Sequence, residues 1–200
     1  KITGGGNLIL GSESFKNAEL KGNTGDGSSI TYELTGGATM ANTNSNRYFR
    51  WTTVGAYVAK GVTLCLSVMY KPVSGADEFC MEIAYTAGYS TSQSWATIKP
   101  TDQLEIEQTD GWVLRYGLWT PPDNATLKLV DMGSGTTHAG TGNYTNKFSL
   151  LHPMLQYGNA PTAWNASSGD YLTQESAKSL FSQTADEIKT EVTKSVTETV

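Results

Sequence analysis

The chain has 200 residues and a net charge of −5, with 16% charged residues, 10% aromatic residues and 21 glycines. This length predicts one domain with room for an appendage, and such a domain buries a sizeable core without disulfide bonds. The acidic balance disfavours nucleic acid and anionic membranes as partners, because both require a basic surface. No stretch approaches the ~20 consecutive apolar residues of a membrane-spanning helix, so we expect no membrane insertion.

Residues 1–168 have the pattern of a β-rich domain. Short segments alternate apolar and polar residues between clusters of Gly, Pro, Asn and Asp, as half-buried strands separated by turns do. In the second segment we expect Ile30, Tyr32 and Leu34 to face the core. The same alternation predicts inward side chains in the fourth and fifth segments, at Val62, Leu64, Leu66 and Val68 and at Phe79, Met81 and Ile83. No helical pattern precedes residue 170, so the sequence predicts an all-β fold, a jelly-roll β-sandwich. The expected strands are nine, at 7–10, 29–35, 47–54, 62–70, 78–86, 104–107, 112–119, 126–131 and 146–152.

Residues 169–200 differ in composition and predict a second part, an α-helical stalk that begins a coiled coil. From Asp170 onward there is neither Gly nor Pro. The seam is too rich in threonine for a stable isolated helix, so further helix or partner chains are needed; a single helix folded back on the sandwich is the alternative. The spacing is closer to an 11-residue period than to strict heptads, with small or apolar side chains at Ala177, Phe181, Thr184, Ile188, Val192, Ser195 and Thr199.

The two cysteines, Cys65 and Cys80, are expected to be free thiols. In a hairpin their strands would place them at diagonal positions or farther apart, beyond comfortable disulfide distance. If the two strands belong to different sheets, the thiols are farther apart still. Free thiols are consistent with assembly in a reducing cytosol.

Motifs at both ends of the strand-rich region resemble one known family. The segment 148–164 reads FSLLHPMLQYGNAPTAW, and the segment 7–15 reads NLILGSESF. Together with Arg50-Trp51, Gly111-Trp112 and Pro121-Pro122, they resemble the carbohydrate-binding-module-like jelly-roll domains of bacteriophage and prophage tail proteins. The resemblance is loose over residues 6–165 and closer over residues 150–192.

The resemblance implies a non-catalytic module for attachment to a host cell surface, by glycan binding, and for tail structure. It implies a location in the virion tail, assembled in the bacterial cytoplasm, with other tail proteins and a host cell-surface glycan as partners. It also implies a homotrimer formed through the C-terminal helix. The alternative is a carbohydrate-binding or adhesive module of a secreted bacterial protein or enzyme.

No group of residues predicts catalysis, so we expect that the chain is not an enzyme. His138 and His152 have no Cys or His at metal-binding spacing and no Asp placed for a triad. Glu105 and Glu107 point to one face of a strand, and glycosidases use carboxylate pairs. Their alternation with apolar residues is equally typical of a solvent-facing strand, which is the interpretation we favour.

Exposed aromatic residues are the stronger functional signal. Sugars stack their C–H faces on Trp and Tyr rings, while Asn, Gln, Asp and Arg bind their hydroxyl groups. The turn-rich segment 84–95 combines both kinds of residue, and the candidate glycan-binding residues are Tyr85, Tyr89, Gln93 and Trp95, followed by Trp119 and Tyr57. By contrast, Trp51, Trp112 and Trp164 match positions of structural aromatics in the resembling family, which implies that they belong to the core.

A structural calcium ion is a further implication of the resemblance, because sandwiches of this type often hold one between the first and last strands. Glu13 and Asp26 are the candidate oxygen ligands. The closing strand offers Asn146, Lys147 and Ser149, where an acidic ligand would favour calcium. We expect no other cofactor.

Overall fold

The computed structural model describes residues 6–23, 27–135 and 142–167, which fall within one compact unit, Lys1–Ser167. The expected helical stalk at 169–200 lies outside the described residues. Within the described part, the fold is all-β with two short 3₁₀ turns, Phe15–Asn17 and Pro100–Asp102. None of its helices is long and apolar enough to cross a membrane. The strands are β1 (Glu19–Asn23), β2 (Ser29–Tyr32), β3 (Ala38–Thr52), β4 (Tyr57–Val58), β5 (Leu64–Gly75), β6 (Phe79–Ala87), β7 (Gln93–Ile98), β8 (Leu104–Glu107), β9 (Val113–Trp119), β10 (Ala125–Ser134) and β11 (Tyr144–Tyr157).

The strands form two antiparallel sheets that share strand β3. The first sheet has the order β2-β3-β11-β5-β9-β8, and the second has the order β1-β3-β10-β6-β7, with β4 beside β10. Residues 38–45 of β3 pair in the first sheet, and residues 46–52 pair in the second. The curled, jelly-roll-like sandwich expected from the strand pattern is therefore confirmed.

Strand β3 changes its pattern of inward residues at Asn44. Before this position Ala38, Met40 and Asn42 are buried, whereas after it the buried positions include Phe49 and Trp51. Asn44 has a φ of 46°, in the left-handed region that asparagine tolerates better than most residues. The irregularity lets both halves of one strand direct side chains into the same core.

The core between the sheets is centred on two aromatic clusters. Phe15 contacts Phe49 and Trp51 edge-on, with both centroid separations at 4.9 Å. At the other cluster, Phe79 of the second sheet lies 5.5 Å from Phe148 of the first. Trp51 is 2% exposed, so its expected place in the core is confirmed. The expected inward residues of β5 and β6 are likewise buried: Leu64, Leu66, Val68, Phe79, Met81 and Ile83.

Several strand predictions were wrong in detail. Of the three residues expected to face inward, Ile30 packs against the core, whereas Tyr32 is 38% exposed and Leu34, beyond the end of β2, is fully exposed. β2 pairs with β3 alone and lies at the sheet edge, where apolar alternation does not imply a covered face. Strands β1, β4 and β7 were not expected, and residues 7–10 contribute isolated bridges at Asn7 and Ile9 instead of a strand.

The cysteines lie in different sheets, Cys65 on β5 and Cys80 on β6, and neither forms a disulfide. The prediction of two free thiols is confirmed. Both are buried, and burial raises the pKa of each thiol to about 12. The thiols are therefore protonated and poorly reactive near neutral pH.

The two ends of the described chain are joined by the side chain of Asn7, which is 1% exposed. Its Nδ2 donates to the carbonyls of Pro153 and Asn165, at 2.9 and 3.1 Å, and its Oδ1 accepts from the Leu155 amide at 3.1 Å. Trp164 binds the same part of the last strand. Its ring stacks on that of His152 with 4.4 Å between the centroids, and its Nε1 donates to the Pro153 carbonyl at 3.2 Å. The segment that leaves the last strand is thus fixed to the outer face of the first sheet.

We predict that Trp164→Ala destabilises the domain. The ring is half-buried, so the loss should be about 2 kcal/mol, below the ~3–5 kcal/mol typical of a fully buried aromatic. Thermal unfolding should show a fall of roughly 4–8 °C in Tm. Tyr89→Ala is the control, because Tyr89 is fully exposed and its loss should leave Tm unchanged. Equal Tm values for the two variants would show that Trp164 does not anchor the exit of the chain.

Candidate functional site

A row of polar side chains crosses the outer face of the second sheet. Strand register places Arg50 of β3 opposite Asp131 of β10, Asp131 opposite Glu82 of β6, and Glu82 opposite Thr97 of β7. Because side chains alternate along each strand, this row faces away from Phe49, Ile83 and other core residues. With the flanking rings of Tyr48 and Trp95, we call this surface the Arg50 face.

An ion pair fixes the centre of the Arg50 face. Arg50 donates from Nε and Nη2 to the two oxygens of Asp131, at 2.8 and 2.7 Å. This two-bonded arrangement has the geometry that matches guanidinium to carboxylate most closely. The Asp131 side chain has no exposed surface, while that of Arg50 is 21% exposed. Hydrogen bonding to Asp131 raises the pKa of Arg50, so the guanidinium stays charged.

Two aromatic rings flank the guanidinium. Its central carbon lies 5.6 Å from the centroid of the Tyr48 ring and 5.4 Å from that of the Trp95 ring. Both distances are within the range of favourable cation–π contacts. Strand β7 brings Trp95 there, in register with Ala84 of β6. Arg50 is therefore held both by a carboxylate and by two rings.

A second carboxylate lies beneath this surface. Glu82 has no exposed surface, and its Oε1 accepts a hydrogen bond from the Thr97 hydroxyl at 3.1 Å. It is the cross-strand neighbour of Asp131, so two acidic residues are adjacent under the same face. They orient the exposed polar groups and are not themselves exposed to a ligand.

The structure brings together two of the candidate glycan-binding residues, Gln93 and Trp95. They are two positions apart on β7, so their side chains point to the same side of the strand. Two other candidates lie outside the Arg50 face. Tyr89 is fully exposed in the turn before β7, and Tyr57 on β4 is 61% exposed. The expected loop at 84–95 is the β6–β7 hairpin, with a short turn between the strands.

Tyr85 and Trp119 lie apart from the Arg50 face, and the burial of Tyr85 corrects its expected place among the exposed aromatic residues. Tyr85 is 9% exposed and belongs to the core, because it occupies an inward position of β6. Its ring lies 4.6 Å from that of Trp119, which packs against the core. These two rings stabilise the sandwich.

Sequence reasoning missed Tyr48, Arg50, Glu82 and Asp131. A signal for Tyr48 and Arg50 was present in the sequence. They alternate along β3 with the apolar residues Phe49 and Trp51, so they are expected on the outward side of the strand. The acidic pair could not be found in this way, because recognising it requires knowing that β6 and β10 are neighbours.

Two further expectations concern tryptophan and calcium. Trp112 is half-buried and lines a surface cavity of about 190 Å³ with Leu150 and Leu151, outside the core in which we expected it. Glu13 accepts a hydrogen bond from Asn17 at 2.7 Å, while Asp26 lies outside the described residues, so calcium binding by this pair stays a prediction. The described residues contain no group of three or more His, Cys, Asp or Glu side chains able to hold a metal ion.

One of the two carboxylates on β8, Glu105, is bound by an arginine. Glu105 forms an ion pair with Arg115, which also pairs with Asp77 at 2.8 Å and lies 4.0 Å from the Tyr70 ring centroid. Arg115 is 6% exposed, so this cluster connects β8 and β9 to the segment before β6. Glu105 thus has a structural contact that a catalytic acid would have to give up.

Among solved structures, this chain has weak similarity to a bacteriophage tailspike domain and to proteins that contain carbohydrate-binding modules. It is 12% identical to the enzymatically active domain of tailspike protein 4 of bacteriophage CBA120, with a TM-score of 0.47, over 76% of this chain and 21% of that one. It is 14% identical to the N-terminal modules of the Clostridium thermocellum endo-1,4-β-D-xylanase 10B, complexed with xylohexaose, with a TM-score of 0.47, over 76% and 28%. A family 11 carbohydrate-binding module of a Clostridium thermocellum cellulosomal cellulase is also 14% identical, with a TM-score of 0.43, over 80% and 98%.

The chain spans about a fifth of the tailspike chain and about a quarter of the xylanase chain. A scan against protein-family models found no match. A search of curated proteins found none either. At these TM-scores the similarity says nothing about what this chain binds, which has to be argued from its own residues.

We predict that Arg50→Met lowers the free energy of unfolding by about 3–5 kcal/mol, because it leaves Asp131 buried without its guanidinium partner. The double variant Arg50→Met/Asp131→Leu should recover most of this loss, since it removes both charges of the ion pair and leaves neither partner behind. Urea unfolding of the three proteins measures both effects. A double variant as unstable as Arg50→Met would show that the ion pair is not what the single substitution disrupts.

Proposed function

We propose that the Arg50 face is a glycan-binding surface and that the domain is a non-catalytic attachment module. The observation that carries the proposal is the position of the Arg50 guanidinium, held by Asp131 between the rings of Tyr48 and Trp95. A rigid, partly exposed donor next to an aromatic ring supplies the two kinds of contact that a sugar requires.

The chemistry of the proposed contact follows from the exposure of each group. Trp95 is half-buried, so part of its ring is accessible to the apolar C–H face of a sugar. Arg50 would donate to ring hydroxyls, and Gln93, which is exposed on the same strand, would contribute further hydrogen bonds. Because Asp131 and the flanking rings already hold the guanidinium, binding would order few additional side chains, which favours affinity.

The contacts of the acidic residues support a binding role over a hydrolytic one. Glycoside hydrolysis requires two carboxyl groups that reach the scissile bond from opposite sides. Glu82 and Asp131 have no exposed surface and are engaged by Thr97 and Arg50. In our proposal they position the exposed residues and do not react.

The proposal predicts that Trp95→Ala loses glycan binding while the protein stays folded. A glycan array with the unmodified chain would identify a ligand, and calorimetric titration with that oligosaccharide would then compare variants. We expect at least about a tenfold rise in Kd, which corresponds to ~1.4 kcal/mol. Tyr89→Ala is the matched control, because it removes a fully exposed aromatic from the neighbouring turn.

Two results would overturn this assignment. One is a folded Trp95→Ala variant that binds the oligosaccharide as the parent does. The other is loss of binding in the Tyr89→Ala variant with Trp95→Ala unaffected, which would place the ligand at the hairpin turn.

We further propose that the module serves host-surface attachment in a phage or prophage tail, as a trimer in the virion. What supports this is the resemblance of residues 150–192 to tail-protein segments that lead into a helical stalk. The alternative, a module of a secreted bacterial protein or enzyme, would use the same Arg50 face.

Sedimentation equilibrium distinguishes the oligomeric states. The trimer proposal predicts a mass three times the 21.5 kDa of one chain. A monomer at every concentration tested would contradict assembly through residues 169–200 and would favour the secreted alternative.

A further inference from the structure

Strand β3 carries a second arginine, Arg47, whose surroundings differ from those of Arg50. It lies on the inward side of β3, alternating with Phe49 and Trp51, and is 6% exposed. Its Nε and Nη1 atoms are sealed from solvent and have no hydrogen-bond partner. A guanidinium buried in this way is strongly unfavourable unless something compensates its charge.

The polar side chains that strand pairing and hydrogen bonds place beside Arg47, among the described residues, are neutral. Register places Ser134 of β10 directly opposite it, with both side chains on the inward side. Ser134 exchanges hydrogen bonds with Asn146, at 2.9 and 3.2 Å, and Asn146 accepts from Asn42 at 2.9 Å. Ser45 continues the chain by donating to Asn42 at 3.3 Å. These four residues, with Arg47, form what we call the Arg47 cluster, at one end of the space between the sheets.

No carboxylate compensates the charge within the described part of the chain. The ion pairs there join Lys21 to Glu19, Arg50 to Asp131, and Arg115 to Asp77 and Glu105, and none includes Arg47. Burial lowers the pKa of Arg47, which reflects the cost of placing its charge there. Arginine does not lose its proton in proteins, so deprotonation does not relieve the buried charge.

A bound water molecule would satisfy a hydrogen bond but not the charge, whereas an anion would satisfy both. Among the neighbouring polar groups, Asn42 has a second amide N–H beyond the one that it donates to Asn146, and this donor suits an anion as well. We infer that the Arg47 cluster binds a small monovalent anion of halide size, held by the Arg47 guanidinium inside the sandwich. The site is separate from the Arg50 face, because the two arginines point to opposite sides of the second sheet.

Thermal unfolding in chloride tests this inference on the unmodified chain. Chloride would be varied from about 1 to 100 mM against gluconate, a much bulkier anion, keeping the ionic strength constant. Ligand that binds the folded state alone raises Tm with the logarithm of its concentration above Kd, here by about 3–5 °C for each tenfold increase. The Arg47→Met variant should lose this dependence, whereas Lys60→Met, which removes one exposed positive charge, should keep it.

A second measurement does not depend on the variant being able to fold. Crystals of the unmodified chain soaked in bromide should show an anomalous peak at the Arg47 guanidinium. A peak there together with a chloride-dependent Tm supports the inference. The absence of a peak, or a Tm that does not respond to chloride in the unmodified chain, or an equal response in Arg47→Met, overturns it.

Discussion

Strand β3 is the element on which the rest of the structure depends, because it pairs in both sheets. Its first half lies between β2 and β11, and its second half lies between β1 and β10. The left-handed residue Asn44 restores the inward alternation after the strand passes from one sheet to the other. Without this adjustment, Phe49 and Trp51 would face outward and Arg50 inward, since a shift of one residue exchanges the two faces of a strand.

The same alternation determines where charge can be placed. Outward positions of β3 carry Tyr48 and Arg50, and the neighbouring outward positions of β10 and β6 carry Asp131 and Glu82. A buried carboxylate is tolerated there because the guanidinium compensates it with good geometry. On the inward side, Arg47 has no such partner among the described residues. The two arginines, three residues apart on one strand, thus differ in whether the described residues supply a carboxylate partner.

The amino-acid pattern was sufficient for the fold class and for much of the core. Alternation in β5 and β6 identified the correct inward residues, because both strands are central and one side of each faces the opposite sheet. It failed for Tyr32 and Leu34, at the end of an edge strand, and for the polar first half of β3. This half is rich in Thr, Asn and Ser, and it forms a strand because β2 and β11 supply its hydrogen-bond partners. The local strand propensity of its residues does not predict this pairing.

The candidate site was predictable in part. Trp95 and Gln93 were expected from their residue types, but Tyr85 from the same segment is a core residue, since the segment is a hairpin whose inward positions are buried. Arg50, Glu82 and Asp131 come from three strands that are distant in sequence, and their proximity depends on the strand order. Periodicity indicates which face a residue occupies, and it does not indicate which strand lies beside it.

A crystal structure of the chain with a bound oligosaccharide would test the central claim most directly. The account predicts a sugar ring against Trp95, with its hydroxyl groups in contact with the Arg50 guanidinium and with Asp131 still bound to Arg50. A sugar bound instead on the outer face of the first sheet, in the cavity beside His152 and Trp164, would contradict it.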